Sequence, residues 1–394
     1  MQDKSVLCFA EWFFFDVFRL IHKAFGAFRY FIIDRKRTGA AAFRTPTDKI
    51  CERGDFLKFF VGYRLSDDGA FLKEIIKNAD RISEIYFSVS GFQNGRGHET
   101  ENTALTFYEA EKRRYEELKT LSKKGFRMNL LLNGNCYGAD ALSRSFYEKI
   151  GELVDFLQKE QKLAAVTTTS PMIAKFIKNN FETLETRASV NMEIGTPEGF
   201  AYLSDRFDSF YLKREYNRDL KKLKAAADWC RNHGKKLYGL ANSGCLNFCS
   251  AKTFHDNLVS HEEEIRGRDN AYLFEGQCSE FLKSGENKND WLRLSNFIRP
   301  EDVALYEDYF DGLKLATRQN PNPAAIVRAY CANRFQGAVT TLLEPDHSGV
   351  FYPDVIENSK IPSDFLKTVQ RCSKNCTACN YCKTVQKEAT VTLL

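Results

Sequence analysis

From Phe56 onward, short runs of aliphatic, β-branched and aromatic residues alternate with longer charged stretches. The runs are FLKFFVGY (56–63), ISEIYFSVS (82–90), RMNLLLNG (127–134), LAAVTTT (163–169), TRASVNMEI (186–194), FDSFYLKR (207–214), KKLYGLAN (235–242) and FDGLKLAT (310–317). Segments such as EAEKRRYEELKTLSKKG and NRDLKKLKAAADWCRNHG lie between them, with apolar residues recurring at three and four and a terminal glycine, as in amphipathic helices. Short apolar strands separated by helical crossovers are the pattern of a parallel sheet. Eight such units across about 260 residues predict an α/β fold, a (β/α)8 TIM-like barrel. A doubly wound open sheet is the alternative, because counting strands does not show closure. The pattern stretches between the seventh and eighth runs, where residues 243–309 form a long excursion that includes FLKSGENKNDWLRLSNFIRPED. A further strand beside the barrel is one reading of it. The predicted organisation is an aromatic-rich helical extension (1–54), the barrel (55–345) and a cysteine-rich tail (346–394).

Within the extension, Glu11, Asp16, Arg19, His22, Lys23 and Arg29 interrupt VLCFAEWFFFDVFRLIHKAFGAFRYFIIDRKR. No uninterrupted apolar span of about 18 residues exists, which argues against a transmembrane helix. The weakly charged start and the lack of a small-residue cleavage site argue against a signal peptide. A packing or docking helix that offers a surface to a protein partner is expected, with an interfacial membrane helix as the alternative.

The composition, 43% hydrophobic and 28% charged over 394 residues, is that of a globular protein. A net charge of +5 is too mild to indicate nucleic-acid binding by itself. The twelve cysteines change the picture more. Spacings of three and four suit a chelate better than a disulfide framework, and predict a reducing, cytoplasmic setting.

In a barrel of this kind the chemistry sits on loops leaving the C-terminal ends of the strands. Cys245 and Cys249, in NSGCLNFC, follow the seventh run; Cys136 follows the third; Cys278, in FEGQCSEF, lies in the excursion from the same face. Four thiolates around one point suit an iron–sulfur cluster or structural zinc. Gly244 is expected to let the backbone approach such a cluster. Cys230 and Cys331 are reserve candidates, and Cys8 and Cys51 read as structural. In the tail, Cys372, Cys376, Cys379 and Cys382 follow the pattern CxxxCxxCxxC. This predicts a second site, an iron–sulfur cluster of the small-ferredoxin kind or alternatively zinc.

Arg214, Glu215, Lys314 and Arg318 fall at strand ends on the predicted active face. They read either as a surface ion-pair network or as an anion site, with Glu215 orienting a cation or acting as general base. GFQNGRGHE (91–99) is expected to cover the pocket, with Arg96 and His98 as contacts. His255 and His261, six apart in TFHDNLVSHEEE, do not share a helical face as a zinc pair would; His255 is the stronger candidate. The chain has no GxSxG and no HExxH.

The run from AAVTTTSPM to LKREYNRDL carries Ala188, Ser189, Asn191, Met192, Arg214 and Glu215. With KKLYGLANSGCLNFC and GLKLATR, it resembles the collagenase-like U32 peptidase family over residues 56–340. The resemblance implies a barrel carrying a four-iron, four-sulfur cluster on four cysteines. For several members it implies oxygen-independent hydroxylation of RNA bases or of a quinone precursor, while others bear the older label of peptidase. GLANSGC replaces the family's HGALC-type segment, and the tail is an addition. The combined expectation is an iron–sulfur redox enzyme with one or two clusters. It would act on an anionic small molecule or an RNA base and be served by an electron-donor protein. A hydrolase and a non-catalytic iron–sulfur partner subunit are the competing classes.

Overall fold

The computed structural model describes residues 56–66, 68–96 and 105–393. The expectations for residues 1–54, for Cys8 and Cys51, and for His98 lie outside the described residues. All eight runs become parallel strands: β1 (Phe59–Gly62), β2 (Ile82–Phe87), β3 (Arg127–Leu132), β4 (Leu163–Thr168), β5 (Glu185–Ala188), β6 (Ser209–Tyr211), β7 (Lys236–Leu240) and β8 (Gly312–Leu315). They close in sequence order, β8 pairing with β1 through Phe60 and Lys314, so the open-sheet alternative falls.

The crossovers are α1 (Ala70–Lys77), α2 (Phe107–Lys123), α3 (Arg144–Gln161), α4 (Pro171–Asn180), α5 (Pro197–Ala201) and α6 (Leu220–Asn232). Local chemistry fixes their starts. Thr106 and Glu109 form a reciprocal capping box ahead of α2. Ser170 caps α4 with Pro171 in its first turn.

Several runs end sooner than their apolar pattern. β5 stops at Ala188, where the Ser189 side chain accepts from Asn191 N and turns the chain into a 3-10 turn. β6 stops at Tyr211, and Arg214–Tyr216 form another such turn. These turns carry polar side chains off the sheet and over the barrel mouth.

The excursion after β7 contains no strand. It folds as α7 (Lys252–Ser260), α8 (Glu262–Arg266), α9 (Gln277–Lys283) and α10 (Trp291–Leu294), followed by a 3-10 segment Pro300–Tyr306. Its apolar residues are spaced to anchor short helices, as where Trp291 and Leu292 bury on the body of the protein, and no alternation of period two is sustained. After β8 come α11 (Pro323–Cys331), α12 (Ser348–Phe351), β9 (Asp354–Ile356), α13 (Phe365–Arg371), α14 (Tyr381–Ala389) and β10 (Thr390–Thr392). β9 and β10 pair antiparallel, so the extra strands belong to the tail. Gln386 of α14 accepts from Leu292 N and donates to Lys288 O, fastening the tail to the excursion. Asp55–Leu394 forms one compact unit.

Inside the barrel, inward side chains form layers. Near the N-terminal ends of the strands, Arg187 makes a bidentate pair with Glu84 at 2.6 and 2.9 Å. Arg187 also reaches Glu185 at 2.9 Å and stacks 4.3 Å from the Tyr238 ring centroid. Asn129 donates to Glu84 at 2.8 Å. Phe60, Tyr86, Leu131, Tyr211 and Tyr238 fill the next layer. Gly62 makes room there: a Cβ would fall 2.6 Å from the Tyr86 ring. Among the described residues, no helix is long and apolar enough to cross a membrane.

Candidate active site

Above the aromatic layer the barrel mouth is lined with cations. Lys314, inward on β8, lies with Nζ 4.0 Å from the Tyr86 ring centroid and 5.6 Å from that of Tyr211. One turn of chain beyond β8, Arg318 donates to Ser88 Oγ at 2.6 Å and to Asn94 Oδ1 at 3.3 Å. Arg96, from the loop after β2, pairs with Glu344 at 3.2 Å. Arg214 is held at 3.5 Å by Ser243 Oγ and by Asn191 Oδ1, and its Nε is buried with no hydrogen-bond partner. Burial, helped by Arg318 and Arg96 and opposed by Glu344, brings the Lys314 ammonium down to about 7.

That depression has a definite sign. An unfolded lysine keeps its proton to about 10.4. Between pH 7 and that value the unfolded chain therefore binds more protons, and the site's contribution to stability rises with pH. Anion binding runs the other way. Sulfate, which does not titrate in this range, is expected to bind several-fold more weakly at pH 8.5 than at pH 6, because Lys314 loses its charge between them. Calorimetry on Lys314→Met is expected to give a flat profile over the same range; an unchanged slope would refute the assignment.

Glu344 and Gly244 explain each other. Glu344 N donates to Asn242 O at 3.0 Å, Gly244 N returns a bond to Glu344 O at 2.9 Å, and the Glu344 carboxylate accepts from Gln319 N at 3.0 Å. A Cβ on Gly244 would lie 2.0 Å from Pro345 O. The glycine therefore admits the 344–347 segment, whatever else approaches it. His347, buried, contacts Gly244 O through Nε2 at 2.9 Å.

The thiols divide. Cys278 is pushed up to about 12 by burial and by neighbouring Cys245 and Cys249, and it shares a hydrogen bond with Cys249. Burial works to raise the Cys245 thiol too, yet Arg214, Arg96 and Lys252 outweigh it and hold that thiol below its ordinary range. These three thiols thus sit together against the cationic mouth. Cys136, the further ligand candidate, accepts from Gly138 N at 3.4 Å, and the neighbouring His261 imidazole and then that N–H hold its thiol below the ordinary range. In the tail, Cys382 is raised by burial and by Cys372, Cys376 and Cys379, with Arg218 opposing. Cys372, Cys376 and Cys379 are exposed. Cys230 and Cys331 are each pushed up to about 12, foremost by burial, as structural thiols are. By donor type the two thiol groups suit a soft metal or an iron–sulfur cluster. Among the described residues, however, no group of three or more His, Cys, Asp or Glu side chains converges closely enough to hold a metal ion.

The remaining candidates sit farther out. Glu215 is buried, with Lys213 at 4.0 Å from one oxygen and the other oxygen unpartnered. His255 packs on the Phe274 ring at 5.1 Å, and burial lowers its pKa. Sequence reasoning missed Glu344, Tyr86 and Ser88. LLEPDH gives no local sign of a buried carboxylate, whose partners lie far away along the chain.

No protein-family model matches the chain. Over 280 residues it is 24% identical to an uncharacterized protease of Methanocaldococcus jannaschii, spanning 70% of this chain and 80% of that one. Among solved structures, a U32 peptidase superposes with a TM-score of 0.48 at 14% identity, over 70% of this chain and 97% of that chain. A GH113 β-1,4-mannanase superposes with 0.37 at 8% identity, over 71% and 100%.

Proposed function

We infer that this U32 collagenase-like family protein is an enzyme that binds an anionic substrate in the barrel mouth and acts on it with iron–sulfur redox chemistry. The observation that carries the reading is the gathering of Arg96, Arg214, Lys314 and Arg318 over the aromatic layer at the barrel mouth, beside three thiols. Packed cations repel one another in a low-dielectric site, and a carboxylate or phosphate relieves that repulsion. Arg318 is oriented by Ser88 and Asn94, and Arg214 by Ser243 and Asn191, so their guanidinium groups are positioned before substrate arrives. With a pKa near 7, Lys314 can hold a proton against the substrate or give it up near neutrality. Tyr86 and Tyr211 close the floor and keep water out.

Cys245, Cys249 and Cys278 are the proposed ligands of a cluster at the mouth; Cys372, Cys376, Cys379 and Cys382 are those of a second site. A four-iron cluster would supply one-electron chemistry there. The exposed tail thiols suit contact with an electron-donor protein. The curated relative's name points to hydrolysis instead, so the test must separate the two. Anaerobic purification with iron and sulfide counting is expected to show clusters in the wild type, with part of the content lost in Cys245→Ala and a different part in Cys376→Ala. A wild-type protein free of iron, or two variants retaining the full content, would sink the redox reading.

A further inference from the structure

Loops that follow β3, β5, β6 and β7 meet beside Arg214 and bring a second group of charges to the rim of the mouth. Asn191, which accepts from Arg214 at 3.5 Å, offers its backbone carbonyl to Asn135 Nδ2 at the same distance. Asn135 Nδ2 also donates to Asp256 Oδ2 at 3.2 Å, and Asn135 N donates to Ser260 Oγ at 2.8 Å, which fastens α7 to the loop after β3. Lys252, one turn earlier on α7, bonds Asp256 and stands 3.6 Å from Glu193 Oε1. Lys213 continues the chain, 3.7 Å from the other Glu193 oxygen and 4.0 Å from Glu215 Oε1. Carboxylates and ammonium groups thus alternate along an arc whose two ends, Arg214 and Glu215, are neighbours in sequence.

This arc does not satisfy itself. Both lysines stand beyond hydrogen-bond distance of Glu193, and Glu193 Oε1, Glu215 Oε2 and Asn135 Oδ1 are all buried without a hydrogen-bond partner. Glu215 is the deepest of them, its side chain only 2% exposed. Glu193 is held at φ 53, a left-handed conformation that non-glycine residues rarely adopt and that clusters at functional sites. Charge points the same way as the hydrogen bonds. Arg214 directs its guanidinium to Asn191 and Ser243, so within the arc the carboxylates of Glu193, Glu215 and Asp256 face only the ammonium groups of Lys213 and Lys252.

We propose that this arc is an amine subsite: the anionic ligand of the mouth also carries an ammonium group, received by Glu215 with Glu193 beside it. The inference rests on the anion site described above. A singly charged nitrogen cancels the excess negative charge and gives the orphaned oxygens charge-assisted N–H donors. A hydroxyl would satisfy an acceptor and leave the charge; a divalent metal ion would meet two lysines, and the described carboxylates do not converge closely enough to hold one. The ligand class is therefore an amine and a carboxylate or phosphate in one molecule. Arg214 and Glu215, adjacent on one 3-10 turn, would engage its opposite charges and fix its direction in the mouth.

Titration calorimetry on the whole chain at pH 7 tests this with matched probes. Each ω-amino carboxylate from 3-aminopropanoate to 6-aminohexanoate is paired with the fatty acid in which a methyl replaces the ammonium, and 2-aminoethyl phosphate with propyl phosphate. In at least one pair the amine is expected to bind about tenfold tighter than its methyl counterpart, and the carboxylate and phosphate arms show which anion the mouth prefers. Glu215→Gln is expected to reduce that preference to about twofold or less, while sulfate binds at least as tightly as to wild type because a carboxylate has left the rim. Glu193→Gln repeats the measurement if Glu215→Gln fails to fold. If sulfate binds the wild type but every amine binds no tighter than its methyl counterpart, or if the preference survives in both variants, the amine subsite is overturned and the anion site stands. If sulfate does not bind the wild type, the anion site falls and this inference with it.

Discussion

Glu84→Gln is expected to lower the stability of the barrel by about 3–5 kcal/mol, the range for removing one member of a buried ion pair. Arg187 is fully buried and its two terminal nitrogens engage both Glu84 oxygens, so the amide leaves a cation facing one neutral acceptor. Glu185, at 2.9 Å and itself tied to Arg127, offsets part of the loss. The Tyr238 ring cannot replace a carboxylate, because a cation–π contact contributes only about 0.5–2 kcal/mol. A control separates charge from packing: replacing Glu84 and Arg187 together by methionine is expected to cost far less than the single change, because it leaves no uncompensated buried charge. Urea unfolding of the two variants against wild type checks both statements, and equal losses for the single and double variants would contradict them.

Glu344→Gln is expected to act in two directions at once. The amide can still accept from Gln319 N, but the carboxylate that faces Arg96 and Lys314 is gone. Stability is expected to fall by about 1–3 kcal/mol, below the full buried-pair value because Arg96 is about a quarter exposed. Anion affinity is expected to rise about tenfold, since the competing internal carboxylate no longer screens the cations. Arg318→Met supplies the contrast, with sulfate affinity lowered about tenfold or more through loss of a charge-assisted hydrogen bond. Sulfate titration calorimetry paired with thermal unfolding reads both directions. If Glu344→Gln weakens sulfate binding, then Glu344 organises the site rather than competing for it.

These two carboxylates also mark where sequence reading stops. Glu84 appears in ISEIYF as one polar residue in an apolar run, and nothing local says that it faces inward to meet Arg187 across the barrel. The period of the runs gave the strands, their order and their parallel sense, because burial on both faces of a barrel strand writes itself as short continuous apolar segments. It also put Arg214, Lys314, Arg318, Cys245 and Cys249 on one face, since they directly follow strands or end them. Arg96 was within reach for the same reason.

Other features had no local signal. Closure depended on β8 reaching β1, a pairing between the two ends of the barrel's sequence. Gly244 also leaves the gap through which Pro345 passes, a contact about a hundred residues distant that no local pattern showed. Cys136 was grouped with the other thiols because it follows the third strand on the same face, and nothing in the sequence showed that the excursion would be fastened to that loop through Asn135, Ser260 and Asp256. Hydrophobic periodicity is set by each residue's own environment and so is legible one strand at a time. The partner of a polar side chain is set by which loops meet over the mouth, and only the closed barrel with its folded-back excursion decides that.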